Sequence, residues 1–153
     1  MTLFSAPQTQ LTSDDYYTPA WVFEALGLRF DLDVCSPPEP PPWIPADRFL
    51  TLAEDGLVTP WEGRVWMNPP YSAPAPWVAK FIAHRSGVCI VPMSMGYWFS
   101  DLWESADGIL VLPPRMVFVG GGSAGLPVRI VLAGFGAECV EAIGRLGTVR
   151  RAT

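Results

Sequence analysis

Apolar residues along this chain fall into two kinds of pattern. Short runs that are apolar throughout, or that alternate with polar residues, mark strands; stretches with apolar residues three or four apart mark helices. The segment "TPAWVFEALG" carries helix punctuation, with Thr18 as N-cap, Pro19 at the first helical position and Gly27 just past the end. "RFDLDVC" follows as a strand in which Phe30, Leu32 and Val34 alternate with other residues. "GRVWMN" is a second strand, and "APAPWVAKFIAHRSG" is a helix starting near Pro76 and closing at Gly87. "VCIVPM" is a continuous apolar run of the kind a buried parallel strand shows. "SMGYWFSDLWESADG" reads as a helix and "ILVLP" as another buried strand. "RMVFV" and "PVRIVLAGF" flank the glycine loop "GGGSAGL" and predict a terminal hairpin, after which "AECVEAIGRLG" is a last helix ending at Gly147.

Alternating helices and apolar strands predict an α/β fold, a doubly wound, mostly parallel sheet with an antiparallel terminal hairpin. The length of 153 residues suits one domain with a sizeable core. That domain is expected over 15–148, between a flexible polar arm at 1–14 and a tail at 149–153. The arm lacks the basic-then-apolar order of a signal peptide. No apolar run approaches the ~20 residues of a bilayer span, so no membrane partner and a cytoplasmic protein are expected. Six prolines between Pro37 and Pro45 read either as a rigid connector or as a PxxP ligand; their place between strand-like segments favours the connector.

Composition narrows the chemistry. Cys35, Cys89 and Cys139 are odd in number and widely spaced, so they read as reduced core residues and neither a disulfide frame nor a zinc site. With His84 the only histidine, no metal centre is expected. The net charge of −5 counts against a protein that binds nucleic acid by charge alone, although Arg145, Arg150 and Arg151 crowd the C-terminus. Gly120, Gly122 and Gly125 spell G-x-G-x-x-G, but Pro127 and a β-rich run follow where a phosphate-binding fingerprint needs a helix, so the loop reads as a hairpin connection.

In open α/β sheets ligands sit beyond the carboxyl ends of the strands, and two predicted strands end in polar residues, Asp33 and Asn68. Asn68 opens Asn68-Pro69-Pro70-Tyr71, where two prolines with fixed φ and no N–H must end the strand. A planar amine whose lone pair is delocalised is a poor nucleophile. Two acceptors aimed at its N–H groups favour a pyramidal nitrogen and free the lone pair. The Asn68 side-chain oxygen and the unpaired Pro69 carbonyl are candidate acceptors, and the Tyr71 ring is a candidate stacking face.

"NPPY" after a strand resembles motif IV of the S-adenosylmethionine-dependent amino-methyltransferases. The ordered blocks "YYTPAWVFEALG", "FDLDVCSPP", "EDGLVTPWEGRVWMNPPYS" and "PRMVFVGG" resemble the phage and prophage DNA N6-adenine methyltransferases (the phage Dam-like family). The resemblance covers roughly Asp15 to Gly136 and implies a Rossmann-like methyltransferase fold. It also implies methyl transfer from S-adenosylmethionine to adenine N6 in DNA, the base being flipped out of the duplex. By it Asn68, Pro69, Pro70 and Tyr71 are catalytic. Tyr17, Thr18, Pro19, Asp33, Ser36, Asp55 and Asn68 meet the cofactor, with Asp33 facing its ammonium group. Asp55 is equally well placed to cap a turn before Gly56. Tyr71 and Arg115 serve the substrate, and Phe118 belongs with Arg115 to a recurrent Arg…Phe element; apart from the resemblance, Trp98 in "GYWF" is a candidate to line the target pocket.

Among the other tryptophans, Trp21 and Trp66 are expected in the core, with Trp61 and Trp77 packing around the turn. The resemblance further implies a phage or prophage product acting in a bacterial host, in the setting of restriction and modification. "LDVCSPP" stands where larger methyltransferases carry F-x-G-x-G, and no insertion is long enough for a target-recognition domain, so recognition is expected to be short or relaxed unless a homodimer supplies more surface. RNA adenine, a protein glutamine amide, or a non-catalytic nucleic-acid-binding role on the same fold are the alternatives.

Overall fold

The computed structural model describes residues 14, 16–120 and 125–152. In chain order it contains α1 (Ala20–Leu26), β1 (Phe30–Asp33), β2 (Ala46–Phe49), β3 (Val65–Met67) and α2 (Ala75–His84). Then come β4 (Gly87–Pro92), α3 (Tyr97–Ser105), β5 (Gly108–Val111), β6 (Ile130–Phe135), α4 (Ala137–Ile143) and β7 (Arg150–Arg151). The strands form one α/β sheet of order β2-β1-β3-β4-β6-β5-β7. β1 pairs in parallel with β2 and β3, and β3 with β4. β6 is antiparallel to both β4 and β5, and β7 is antiparallel to β5.

Strands β3 and β4 are apolar at nearly every position because both faces of the sheet are covered. Trp66, Val88 and Ile90 pack with Val22, Phe23 and Leu26 of α1 and Ala142 and Ile143 of α4. Their neighbours Val65, Met67, Cys89 and Val91 point the other way, against Val78 and Phe81 of α2 and Leu102 of α3. Successive strand residues thus feed alternate cores. Gly87 opens β4 where α2 was expected to close. A Cβ there would stand 2.1 Å from the Val65 carbonyl oxygen, so the tight β3–β4 approach requires glycine.

Several expectations are corrected. Thr18 does not cap α1; Pro19 holds the N-cap position without a side-chain bond, and Gly27 ends the helix in the left-handed region at φ 62°. Trp21 is 45% exposed and lies outside the core that Trp66 joins. "RMVFV" is not the hairpin partner of β6. Pro113 and Pro114 supply no N–H and Arg115 sits at φ 58°, so the chain leaves the sheet before Met116. Val119 instead bridges Tyr17, with N···O distances of 3.0 and 2.9 Å. The antiparallel strand lies inside the sheet, between β4 and β5. Of the glycine loop, residues 121–124 lie outside the described residues, as do residues 1–13 of the arm. The proline run carries β1 into the edge strand β2, and the segment expected as a tail contributes β7.

Candidate active site

From the end of β1 the chain passes to β2 on one side and then to β3 on the other, which makes the β1/β3 boundary a switch point of the sheet. A cleft of about 360 Å³ opens there. Its polar lining includes Asp33 at the end of β1, Ser36 just beyond it, Asn68 just past β3, and Asp55 in the loop after β2. Tyr16, Tyr17 and Thr18 enter from the N-terminal segment.

Asp33 is only 2% exposed, and its carboxylate accepts one backbone hydrogen bond from Cys35 at 3.1 Å. Burial pushes its pKa up to about 7, against the lowering effect of that bond. The neighbouring Cys35 thiol is pushed up to about 12, first by burial and then by the charges of Asp33 and Asp14, so it is not a thiolate nucleophile at neutral pH. Ser36 donates to the Pro37 carbonyl at 3.0 Å. Asp55 adopts φ 54° and accepts from the Leu57 N–H at 3.0 Å, so it caps a turn while also lining the cleft.

The wall formed by residues 51–61 is tied down from α2. Lys80 Nζ donates to the carbonyls of Gly56, Leu57 and Thr59 at 2.8, 3.1 and 2.6 Å, and Trp61 Nε1 donates to Gly56 at 2.8 Å. His84 is occupied with the Gly63 carbonyl at 2.7 Å, away from the cleft lining.

The N-terminal segment is held against the proline turn. Asn68 Nδ2 donates to the Tyr16 carbonyl at 3.4 Å and to Thr18 Oγ1 at 3.3 Å. A carbonyl only accepts, so the Tyr16 contact fixes which end of the amide is nitrogen. Among the described residues, neither Asn68 Oδ1 nor the Pro69 carbonyl accepts a protein hydrogen bond. Trp43 Nε1 donates to the Thr18 carbonyl at 2.9 Å, and Asp14 accepts from both the N–H and the hydroxyl of Ser72.

Tyr71 does not line this cleft. With Trp98, Met93, Ser94, Leu126 and Val128 it lines a second cavity of about 350 Å³. Its hydroxyl donates to the Ile90 carbonyl at 3.3 Å, its ring meets Phe118 edge-on at 6.1 Å, and burial keeps its phenol well above the ordinary value. Pro70 joins the first cleft, whereas Pro19, Pro69 and Arg115 line neither cavity. Sequence reasoning overlooked the apolar lining of Ile44, Leu50 and Trp77. Only their nearness to the proline run and the turn hinted at it.

A family model described as DNA N-6-adenine-methyltransferase (Dam) matches residues 6–128. A curated relative, the DNA N-6-adenine-methyltransferase of Haemophilus phage HP1 (strain HP1c1), is 37% identical over 75 residues, covering 46% of this chain and 42% of that protein. The chain thus aligns with less than half of the relative's length. No solved structure gives a significant match. Since the family match takes in most of the chain, the protein belongs to the DNA N-6-adenine-methyltransferase (Dam) family.

Proposed function

We propose that the protein transfers a methyl group from S-adenosylmethionine to the exocyclic N6 of adenine in DNA, on a Rossmann-like methyltransferase frame. The observation that carries this reading is the state of the proline turn. Asn68 commits its amide nitrogen to Tyr16 and Thr18 and leaves its oxygen, like the Pro69 carbonyl, without a donor among the described residues.

The cleft suits the cofactor chemically. It offers one buried carboxylate for an ammonium group, Asp55 and Ser36 for hydroxyls, and apolar walls from Ile44, Leu50 and Trp77 for a planar ring. Bound there, S-adenosylmethionine supplies an electrophilic methyl group. The chain's own part is positioning. Asn68 Oδ1 and the Pro69 carbonyl accept the two amine N–H groups, hold the nitrogen pyramidal and stabilise the positive charge it gains with the methyl group, before a proton leaves to water. In this reading the second cavity takes the flipped base, with Tyr71 and Trp98 as its aromatic walls.

The elements left over for base readout are short, and the chain is acidic overall. Recognition is therefore short or relaxed, and DNA binding is weak and salt-sensitive. The test offers DNA, RNA and protein in parallel with radiolabelled S-adenosylmethionine, followed by sequencing of the modified adenines. Label in DNA at many contexts is the expected result. Label confined to RNA or protein overturns the substrate assignment, and modification restricted to one palindrome of about four or more base pairs overturns the relaxed specificity.

A further inference from the structure

The segment from the end of β4 into the first turn of α3 carries two large hydrophobic side chains that are almost wholly exposed, Met95 at 104% and Tyr97 at 92% relative exposure. Soluble proteins tolerate single exposed apolar residues, but these two stand between residues that build the second cavity. Ser94 and Trp98 line that cavity; Met95 and Tyr97, each one position away, do not. The turn is also closed by a local hydrogen bond and packed against Trp98. The Gly96 N–H donates to Ser94 Oγ at 3.0 Å, and a Cβ at Gly96 would stand 2.8 Å from Trp98 Nε1, so the indole packs over the space glycine leaves. Met93 and Val128, both cavity residues, are 41% and 45% exposed and extend the apolar rim.

We propose that Met95 and Tyr97 form a wedge that enters the duplex beside the target adenine and fills the stacking space it vacates. This rests on the reading of the second cavity as the pocket for the flipped base. A base taken out of a duplex leaves an unstacked gap, and apolar or aromatic side chains inserted into such a step offset part of the unstacking cost. An unbranched thioether and a flat ring, each next in the chain to a residue that lines that pocket, have the chemistry for this.

The test compares two DNA substrates carrying the same mapped methylation site, one fully paired and one with the target adenine opposite an abasic position. For the double variant Met95→Ala/Tyr97→Ala, methylation of the paired substrate is expected to fall about tenfold or more, while the substrate with the already unpaired adenine loses far less. In parallel, 2-aminopurine placed at the target position brightens when wild-type protein binds and stays dim with the variant. Because both side chains are exposed, the variant is expected to melt like the wild type, which excludes unfolding as the cause. An equal loss on both substrates overturns the wedge and assigns the patch to ordinary substrate binding or to contact between copies. No loss on the paired substrate overturns it outright. Failure of the wild type to methylate any DNA is a separate result, and it overturns the functional reading on which the wedge depends.

Discussion

Asp33 ends β1 with its carboxyl buried beside the cleft, and burial raises its pKa from the ordinary 3.8 to about 7. A carboxyl with a raised folded value supports folding fully only below pH 3.8, and that support is lost as the pH rises through about 7. Asp33→Asn keeps an oxygen for the Cys35 N–H and escapes ionisation. Its Tm should therefore exceed that of the wild type increasingly from about pH 4 to pH 7 and hold the gain above. Binding should move the opposite way, because a cationic ammonium group needs the ionised carboxylate. Calorimetry with S-adenosylhomocysteine should show affinity rising with pH through the same window, and Asp33→Ala weakening it by about 1–3 kcal/mol. Tyr71 separates ring from hydroxyl in the same manner. Tyr71→Phe gives up only the bond to Ile90, whereas Tyr71→Ala removes the stacking face and should cost about 1–3 kcal/mol in kcat/KM for DNA. A Phe variant as damaged as Ala would move the role to the hydroxyl. Asp33 and Asn68 were legible in the sequence because a polar residue ending an apolar strand has few structural uses. That Tyr71 turns toward a separate cavity was not legible, since Ile90 and Phe118, which hold it, lie 19 and 47 positions further along the chain.

Among the elements, the wall of residues 51–61 has little regular structure and depends on close contacts. At Gly56 a Cβ would lie 2.0 Å from the Val34 carbonyl and 2.9 Å from the Trp77 ring. Gly56→Ala should lower stability by about 1–3 kcal/mol in a urea titration and weaken S-adenosylhomocysteine binding, because the wall must move off the cleft. Unchanged stability would mean that the loop relaxes freely. The same dependence on contacts explains which elements could be read from the sequence. β3 and β4 are apolar on both faces and β1 alternates, so their patterns were plain. β2 is an edge strand with Asp47 and Arg48 exposed, and β7 is two exposed arginines; neither has a hydrophobic period to detect. "RMVFV" shows the opposite failure, a strand-like alternation of buried Met116 and Phe118 with exposed Val117 and Val119. It joins only one bridge, because partner choice is a tertiary property that periodicity does not encode.

At the scale of the whole molecule, a mixed sheet covered on both faces brings residues from Tyr17 to Asn68 to one cleft at its switch point. The proline turn that supplies Asn68 to this cleft supplies Tyr71 to the neighbouring cavity. One turn thus contributes to both, with Asn68 and Pro70 lining the cleft and Tyr71 the cavity. No helix among the described residues is long and apolar enough to cross a membrane. The central claim is that the Asn68 oxygen and Pro69 carbonyl activate an adenine amine by accepting hydrogen bonds from its N–H groups. Single-turnover methylation of DNA, with the product nucleosides identified by mass spectrometry, tests it most directly when wild type and Asn68→Ala are run side by side. The account predicts N6-methyl-2′-deoxyadenosine from the wild type. For the variant it predicts a rate lower by about 10²–10³-fold, with cofactor affinity largely retained. A different methylated product, or a variant that turns over at the wild-type rate, would contradict it.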